Sequence, residues 1–449
     1  MVAMDFVPVR PRRRLKPRWL NASLTWLFVV RALRSASQGY LAIIVPLYVA
    51  VLGYDAVHLG ILFTAAAIAS AVLTALVGIY SDRFGRKNFL IAISLLTVFG
   101  GLAFAVSTSF VVLVLAAAIG TIGRGGGAAS AGNWGPFYPA EQALIAEHAD
   151  DASRTTIFGV LSFVGVIAGA IGSLLAWLPR LLTATMGLPA LSGYRVLFLL
   201  TAVVGVAMAA AVVPVTESRS HPATQGPSAF APATLKLGLS PASWRIVAPL
   251  ALTNVIQGFG MGMLGPLIVY WFYRGYGAGP GELATLFFVI NLAAALPYLL
   301  AGRLALSMGA VLTVTVSRLV GVVLLVAMIF MPTFFWAAVF YALQMIAATV
   351  SVPVAQSYLM GVVGPAERAS AAGVSTVPWQ VGSMLAPYFS GYLMEYAALD
   401  LPVGLSAALT AVGAVLYYFF FRDILLPEEM ETPRRQTVER ASGESVRRT

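Results

Sequence analysis

Long apolar runs, separated by short stretches of glycine, proline or charge, recur from one end of this 449-residue chain to the other. Crossing a bilayer core takes about 20 apolar residues in a helix. The runs predict helices over 24–52, 59–79, 88–106, 110–132, 156–178 and 194–214. A second set follows over 246–273, 283–303, 310–331, 333–361, 370–397 and 402–421. A membrane β-barrel would need segments of about 10 residues that alternate in polarity. The runs at 90–104 and 196–213 do not alternate. The expected fold class is therefore all-α integral membrane, with twelve transmembrane helices.

The same pattern divides the chain. A basic tail at 1–23 leads straight into a long span, which reads as a retained first helix and not as a signal peptide. A six-helix bundle is expected at 24–214, a flexible Pro/Ser/Thr/Gly-rich linker at 215–243, a second bundle at 244–421 and a polar, disordered tail at 422–449. The two halves echo each other. Gln38-Gly39 matches Gln257-Gly258, Pro46-Leu47 matches Pro266-Leu267, and Gly53-Tyr54 matches Gly275-Tyr276. Gly78 and Gly85 match Gly302 and Gly309, while Pro139, Gln142, Arg154 and Gly159 match Pro353, Gln356, Arg368 and Gly373. An ordered series of this kind indicates two homologous bundles in the same orientation.

Composition narrows the function. Hydrophobic residues make up 59% and charged residues 10% of the chain, with a mean hydropathy of +0.86. A soluble domain carries about 25% charged residues. The net charge of +10 would suggest nucleic acid in a soluble protein. Here the basic residues sit where topology needs them, so no nucleic-acid partner is expected. Twenty-one Lys and Arg fall on the side of the termini and three on the other, which predicts both termini in the cytoplasm of a multi-pass cell-membrane protein. With no cysteine, and with His58, His148 and His221 all in predicted loops, neither a metal site nor a cofactor is expected.

The loop after the second predicted helix reads Gly78-Ile-Tyr-Ser-Asp82-Arg83-Phe-Gly85-Arg86-Lys87. It resembles the G-x-x-x-D-R-x-G-R-K signature of the major facilitator superfamily, with Tyr80 where an aliphatic residue is usual. The resemblance covers about 24–421. It implies secondary transport by alternating access, with this loop latching the two bundles together in the outward-open state. Gly193-Tyr-Arg195 also resembles the superfamily, and Glu147 with Arg154 resembles its cytoplasmic acid–base pair. Arg124, followed by three glycines, resembles a motif of the drug/proton antiporter group. The proline-containing glycine motif of that group's fifth helix is not intact here. A degraded version stands at 382–391. The segment around Asn133–Tyr138 is longer than the pattern requires.

Charges inside spans are costly and need a reason. Arg31, Arg34 and Gln38 share one face of the first helix. Arg31 is read as snorkelling to the headgroups. Arg34, near the midplane, either faces a central cavity or is paired internally. Arg318 reads as structural, and Arg124 as packing, coupling or substrate contact. Gln38, Asn254, Gln257, Asn291, Gln344 and Gln380 either line a hydrated cavity or bond across helices. Tyr270, Trp271 and Tyr273 read as an interfacial belt, and the glycines from Gly258 to Gly265 as a bending gate or a static kink. No carboxylate falls mid-helix, and Glu141 stands near the cytoplasmic end of the fourth span as the remaining candidate for coupling. The expectation is a monomeric carrier of a small organic solute, anionic or amphiphilic, in contact with lipid and with or without a coupling ion. Multidrug efflux by drug/proton antiport is the alternative, and a non-transporting receptor or scaffold a minor one. An enzyme is not expected, because no nucleophile, base or metal constellation is in evidence.

Overall fold

The computed structural model describes residues 21–120, 122, 135–148, 154–217, 240–293, 295–364 and 367–424. Within them the chain is helical: α1 Ala22–Val51, α2 Ala56–Phe84, α3 Arg86–Val106, α4 Phe110–Ile119, α5 Phe137–His148, α6 Arg154–Leu174, α7 Leu178–Met186 and α8 Ala190–Val212. The second half contains α9 Pro241–Leu264, α10 Ile268–Tyr276, α11 Pro280–Ala293, α12 Ala295–Met308, α13 Ala310–Ile329, α14 Phe334–Val362, α15 Arg368–Tyr396 and α16 Leu401–Phe421. Nine helices among the described residues are long and apolar enough to cross a membrane, the run through α6 and α7 counting as one. The remaining predicted spans contain α4, α11 with α12, and the longer but more polar α15.

The helix ends follow local chemistry. Asn21 accepts from the Leu24 N–H at 2.8 Å and Asp55 from the His58 N–H at 3.0 Å, which caps α1 and α2. α3 and α13 both begin after a glycine at positive φ, Gly85 at 95° and Gly309 at 81°. Gly53 and Gly277 also have positive φ, at 89° and 66°. That pairing corrects the sequence match of Gly53 with Gly275, and a single offset of 224 then runs from Gly53 through Gly85.

Helix neighbours repeat between the halves. α1 lies on α6 as α9 lies on α15, α3 on α8 as α13 on α16, and α2 on α4 as α12 on α14. The repeat is imperfect in two places. α1 runs unbroken past Pro46, whereas its counterpart breaks between Leu264 and Ile268 around Gly265-Pro266. α14 is one helix where the first half has two. The offset falls from 224 at the starts of α4 and α14 to 214 at the ends of α5 and α14, so the first half carries ten residues more here. The fourth predicted span ended at 132, yet residues 137–148 form a helix. His58 and His148, read as loop residues, lie in the first turn of α2 and at the last position of α5.

The apolar side chains gather into three cores. One large core takes residues from both halves, including Tyr48, Phe104 and Phe198 with Trp271, Phe272 and Tyr341. It lies toward the far end, opposite the chain termini. A second core, around Leu24, Leu90, Phe137 and Val212, belongs to the first half alone. A third, around Val247, Val314, Tyr358 and Phe421, belongs to the second half alone. Both lie toward the terminal end. Tyr270 and Trp271 are 4% and 1% exposed in the shared core, and Trp271 Nε1 donates to Asp400 at 2.8 Å. They are not a belt at the lipid surface, because the break before α10 carries them in between the halves.

Candidate functional site

Three groups of residues carry charge or polarity to places where it costs energy. The first joins α1 and α5. Arg31 Nη1 donates to Glu141 Oε2 at 2.8 Å, and neither side chain has any exposure. Arg31 therefore does not snorkel. Phe137 and Glu141 are four apart on α5, and Arg31 and Arg34 three apart on α1, so two facing pairs meet. The Arg34 guanidinium lies 4.8 Å from the centroid of the Phe137 ring. Arg34 is 8% exposed, so its head is enclosed rather than open to a wide cavity. Glu141 sits close enough to feel both arginines, although no carboxylate was expected mid-helix, where Arg34 stands. Gln38, one turn further on, is half-buried.

The second group surrounds the glycine-rich loop at the terminal end. Glu217 accepts from the Arg86 N–H at 2.7 Å and the Lys87 N–H at 3.3 Å, so its carboxylate caps α3. Lys87 Nζ donates to the Val213 carbonyl, and Arg86 stands 3.8 Å from Glu147. Arg83 is exposed over the Phe84 ring. Gly78 is half-buried in α2. The side chains of Asp82 and Arg154 lie outside the described residues, as does Arg124 altogether. Glu217 was missed because it falls just inside the stretch read as linker. The signal available was a lone carboxylate directly after a span, within reach of a helix start. The matching stretch before α9 is ordered too: Ser240 donates to Glu367 through its N–H at 3.0 Å and its hydroxyl at 3.2 Å. Hydrogen bonds from Ser243 and Ser240 hold the Glu367 carboxyl below the usual range.

The third group closes the far end. Here α2 lies on α15 and α6 on α11. Gly60 approaches the Pro387 carbonyl so closely that a Cβ would stand 2.5 Å from its oxygen, and a Cβ on Gly391 would strike the Ala56 carbonyl. Glu395 accepts from the Ala56 N–H at 3.4 Å, and Thr64 from the Tyr388 N–H at 3.1 Å. Arg180 reaches Glu282 at 3.0 Å and lies over Trp177, whose Nε1 donates to Thr285 at 3.3 Å.

The neutral polar candidates are scattered. Asn254 of α9 donates to the Ser375 carbonyl of α15 at 2.8 Å, a bond across helices. Asn291 donates to the Phe287 carbonyl of its own helix at 2.8 Å. Gln380 is half-buried on α15. Gln257 and Gln344 each hold a buried Oε1 with no hydrogen-bond partner among the described residues. No group of three or more His, Cys, Asp or Glu that could hold a metal occurs among the described residues.

Comparison with known proteins gives a consistent picture. The sequence family described as Major Facilitator Superfamily matches residues 27–255 and 250–448. An uncharacterized membrane protein of Saccharomyces cerevisiae, YJR124C, is 26% identical over 184 residues, which span 40% of this chain and 40% of that protein. Among solved structures, a bacterial homologue of the human lysosomal transporter Spinster, inward-facing and unoccupied, aligns with a TM-score of 0.70 at 15% identity, covering 91% of this chain and 98% of that one. The nucleoside transporter NupG aligns at 0.65 and 17% identity over 90% and 99% of the two chains. A D-xylose-proton symporter aligns at 0.65 and 16% over 89% and 98%.

Proposed function

The chain belongs to the major facilitator superfamily, a transporter and not an enzyme, and from that premise we propose that it carries a small organic solute across the cell membrane by alternating access between two six-helix bundles. One observation carries this reading: the halves share one apolar core at the far end and keep separate cores at the terminal end. Such a molecule is sealed on one side of a central path and partable on the other. The basic residues near the termini put that second side in the cytoplasm, so this is the inward-facing state. The bundles span 24–214 and 244–421, with twelve crossings in all, and the working unit is a monomer.

The loop from Gly78 to Lys87 is the cytoplasmic gate. Its glycine turn and the Glu217 cap fix the start of α3, which leaves Asp82 as the movable latch between bundles. Asp82→Asn should reduce transport with expression retained, and full transport by that variant would remove the latch.

The substrate class is set by Arg34. Arg34 carries a guanidinium on α1 over the Phe137 ring and beside the Arg31–Glu141 pair, and a cation at this depth favours an anionic or amphiphilic solute. Gln38, Asn254, Gln257, Asn291, Gln344 and Gln380 line or support the path, and Arg124 completes the candidate set. The test is uptake into proteoliposomes from a panel of carboxylates, phosphate esters, neutral sugars and organic cations. Loss of carboxylate or phosphate uptake in Arg34→Ala, with partial uptake in Arg34→Lys, supports the reading. Unchanged uptake by the alanine variant overturns it.

A second reading is favoured by one contact. Glu141 is a fully buried carboxylate whose Oε1 has no hydrogen-bond partner among the described residues, while Oε2 holds Arg31. A carboxylate exchanging between a proton and an arginine is the device a drug/proton antiporter needs. Transport of organic cations that collapses with the proton gradient and is lost in Glu141→Gln would select this alternative over the anion carrier.

A further inference from the structure

The two halves treat buried charge differently. By the repeat, Arg31 and Glu141 of the first half correspond to Leu250 and Ala355, which lie within and against the apolar core of the second half. The second half instead buries a lone arginine elsewhere. Arg318 is the ninth residue of α13, roughly 12 Å from the helix start at 1.5 Å per residue. Its counterpart in the first half is Ser94. Arg318 is 8% exposed, and its Nε and Nη1 have no hydrogen-bond partner among the described residues. Its one close electrostatic neighbour is the face of Tyr417, 5.2 Å from guanidinium carbon to ring centroid.

No carboxylate among the described residues balances this charge. The described acids of the second half, Glu282, Glu367, Glu395, Asp400 and Asp423, all stand at helix ends. A charge at mid-membrane without a counter-charge costs several kcal/mol by insertion scales. Part of that cost is recovered on the Tyr417 ring, but the two orphaned N–H groups stay unsatisfied. Among the described residues, Tyr417 also leaves its own hydroxyl unpaired, and Gln344 and Gln257 each leave a buried amide oxygen unpaired. Amide ends interchange on a half-turn, so the two glutamines can present Nε2–H donors to the same space.

The neighbouring glycines mark that space. Most glycines between these helices exist because backbones touch: a Cβ on Gly382 would stand 2.5 Å from the Val255 carbonyl oxygen, and one on Gly262 2.8 Å from Ser383 Cα. Gly321 and Gly413 are different. They lie one turn from Arg318 and from Tyr417. A Cβ on Gly321 would meet nothing nearer than the Gln344 carbonyl oxygen at 3.9 Å, and one on Gly413 nothing nearer than Gln257 Oε1 at 3.4 Å. Packing does not require either glycine. Gly413 withholds a methyl group beside the unpaired Gln257 Oε1, and Gly321 withholds one beside the Gln344 side chain.

We propose that the second half binds a small monovalent inorganic anion, of chloride size, between α9, α13, α14 and α16, held by Arg318 with Tyr417, Gln344 and Gln257 around it. A chloride ion is about as large as the methyl group the glycines omit, and it neutralises the guanidinium as water cannot. The space beside Gly321 and Gly413 is methyl-sized and too small for an organic solute, so the site differs from that of Arg34 even though Gln257 and Gln344 border both, and it does not depend on the substrate assigned there.

The test uses the full-length protein in detergent at fixed ionic strength. Thermal unfolding in sodium chloride is compared with sodium gluconate, whose anion is too large to enter. The expected result is a saturable rise in Tm with chloride, reproduced by bromide. Arg318→Gln should abolish the rise. Gly321→Ala, which fills the space and keeps the charge, should weaken or abolish it in a protein that still folds. Should Arg318→Gln fail to fold, Gly321→Ala and the anomalous signal of bromide-soaked crystals decide the matter. A bromide peak in contact with the Arg318 guanidinium supports the site. Equal Tm curves in chloride and gluconate overturn it. So does a chloride effect that survives both substitutions, or bromide found on the surface as an adventitious ion only.

Discussion

The two ends of the molecule are built on opposite principles. At the far end side chains from both halves enter one core, glycine lets α2 and α15 meet backbone to backbone, and polar bonds such as Arg180 to Glu282 cross the seam. At the terminal end each half keeps its own core, and the strong polar contacts described there, Arg31 with Glu141 and Glu217 with the start of α3, stay within the first half. The difference shows where the free energy of one state is stored. In the proposed cycle, the contacts that break lie at the far end, while those that keep a bundle rigid lie at the terminal end.

Substitution at the seam should have the largest effect on function. Gly391→Val pushes a branched side chain into the Ala56 carbonyl and should raise the far-closed state by about 1–3 kcal/mol, as overpacking does. Transport should fall to near background. Because the chain has no cysteine, Thr64→Cys with Tyr388→Cys gives a clean cross-linking readout. The pair should form a disulfide readily in the parent background and poorly with Gly391→Val. Ready cross-linking in both would mean the seam does not need its glycine.

Removing one partner of the buried ion pair should have the largest effect on stability. Glu141→Ala removes the carboxylate that pairs with Arg31 at zero exposure, a loss of about 3–5 kcal/mol. The double variant Arg31→Met with Glu141→Leu should recover most of the Tm, because two apolar groups suit the surrounding core. Equal Tm for the single variant and the parent would show that the pair is not buried in the membrane.

A smaller change is expected at Glu217. Glu217→Gln keeps a hydrogen-bond acceptor but removes the charge at the start of α3, worth about 0.3–1 kcal/mol. Hydrogen exchange should quicken in the first turn of α3 and leave α13 unaffected. Uniform change across both helices would argue against a local cap. Arg180→Ala should cost least. Both partners are exposed, at 55% and 42%, so the pair contributes no more than about 1 kcal/mol and fades in high salt. Its effect should appear as weaker cross-linking at the far end with Tm nearly unchanged.

Much of this plan is legible in the chain, and the exceptions share a cause. The apolar runs locate the spans because length and hydropathy are local properties. The break after Gly265-Pro266 is legible for the same reason. Arg31 was misread because its partner stands 110 residues away, and a sequence gives the depth of a side chain without its neighbours. The α5 helix was missed because Pro139, Glu141, Gln142, Glu147 and His148 look like loop chemistry until α1, α2 and α3 pack around them. Trp271 was assigned to the lipid boundary by its type. The break that turns it inward can be seen in sequence, but its direction cannot.

The contact of Gly60 and Gly391 with opposing main chain also bears on speed. Interlocked side chains part only after rotamers rearrange, and each rearrangement roughens the path. Two surfaces stripped to backbone present few such teeth, so they can separate as smooth plates with little internal friction. The glycines that make the far end fit so closely would then also let it open quickly, whereas larger side chains that strengthened the seal would slow every turnover.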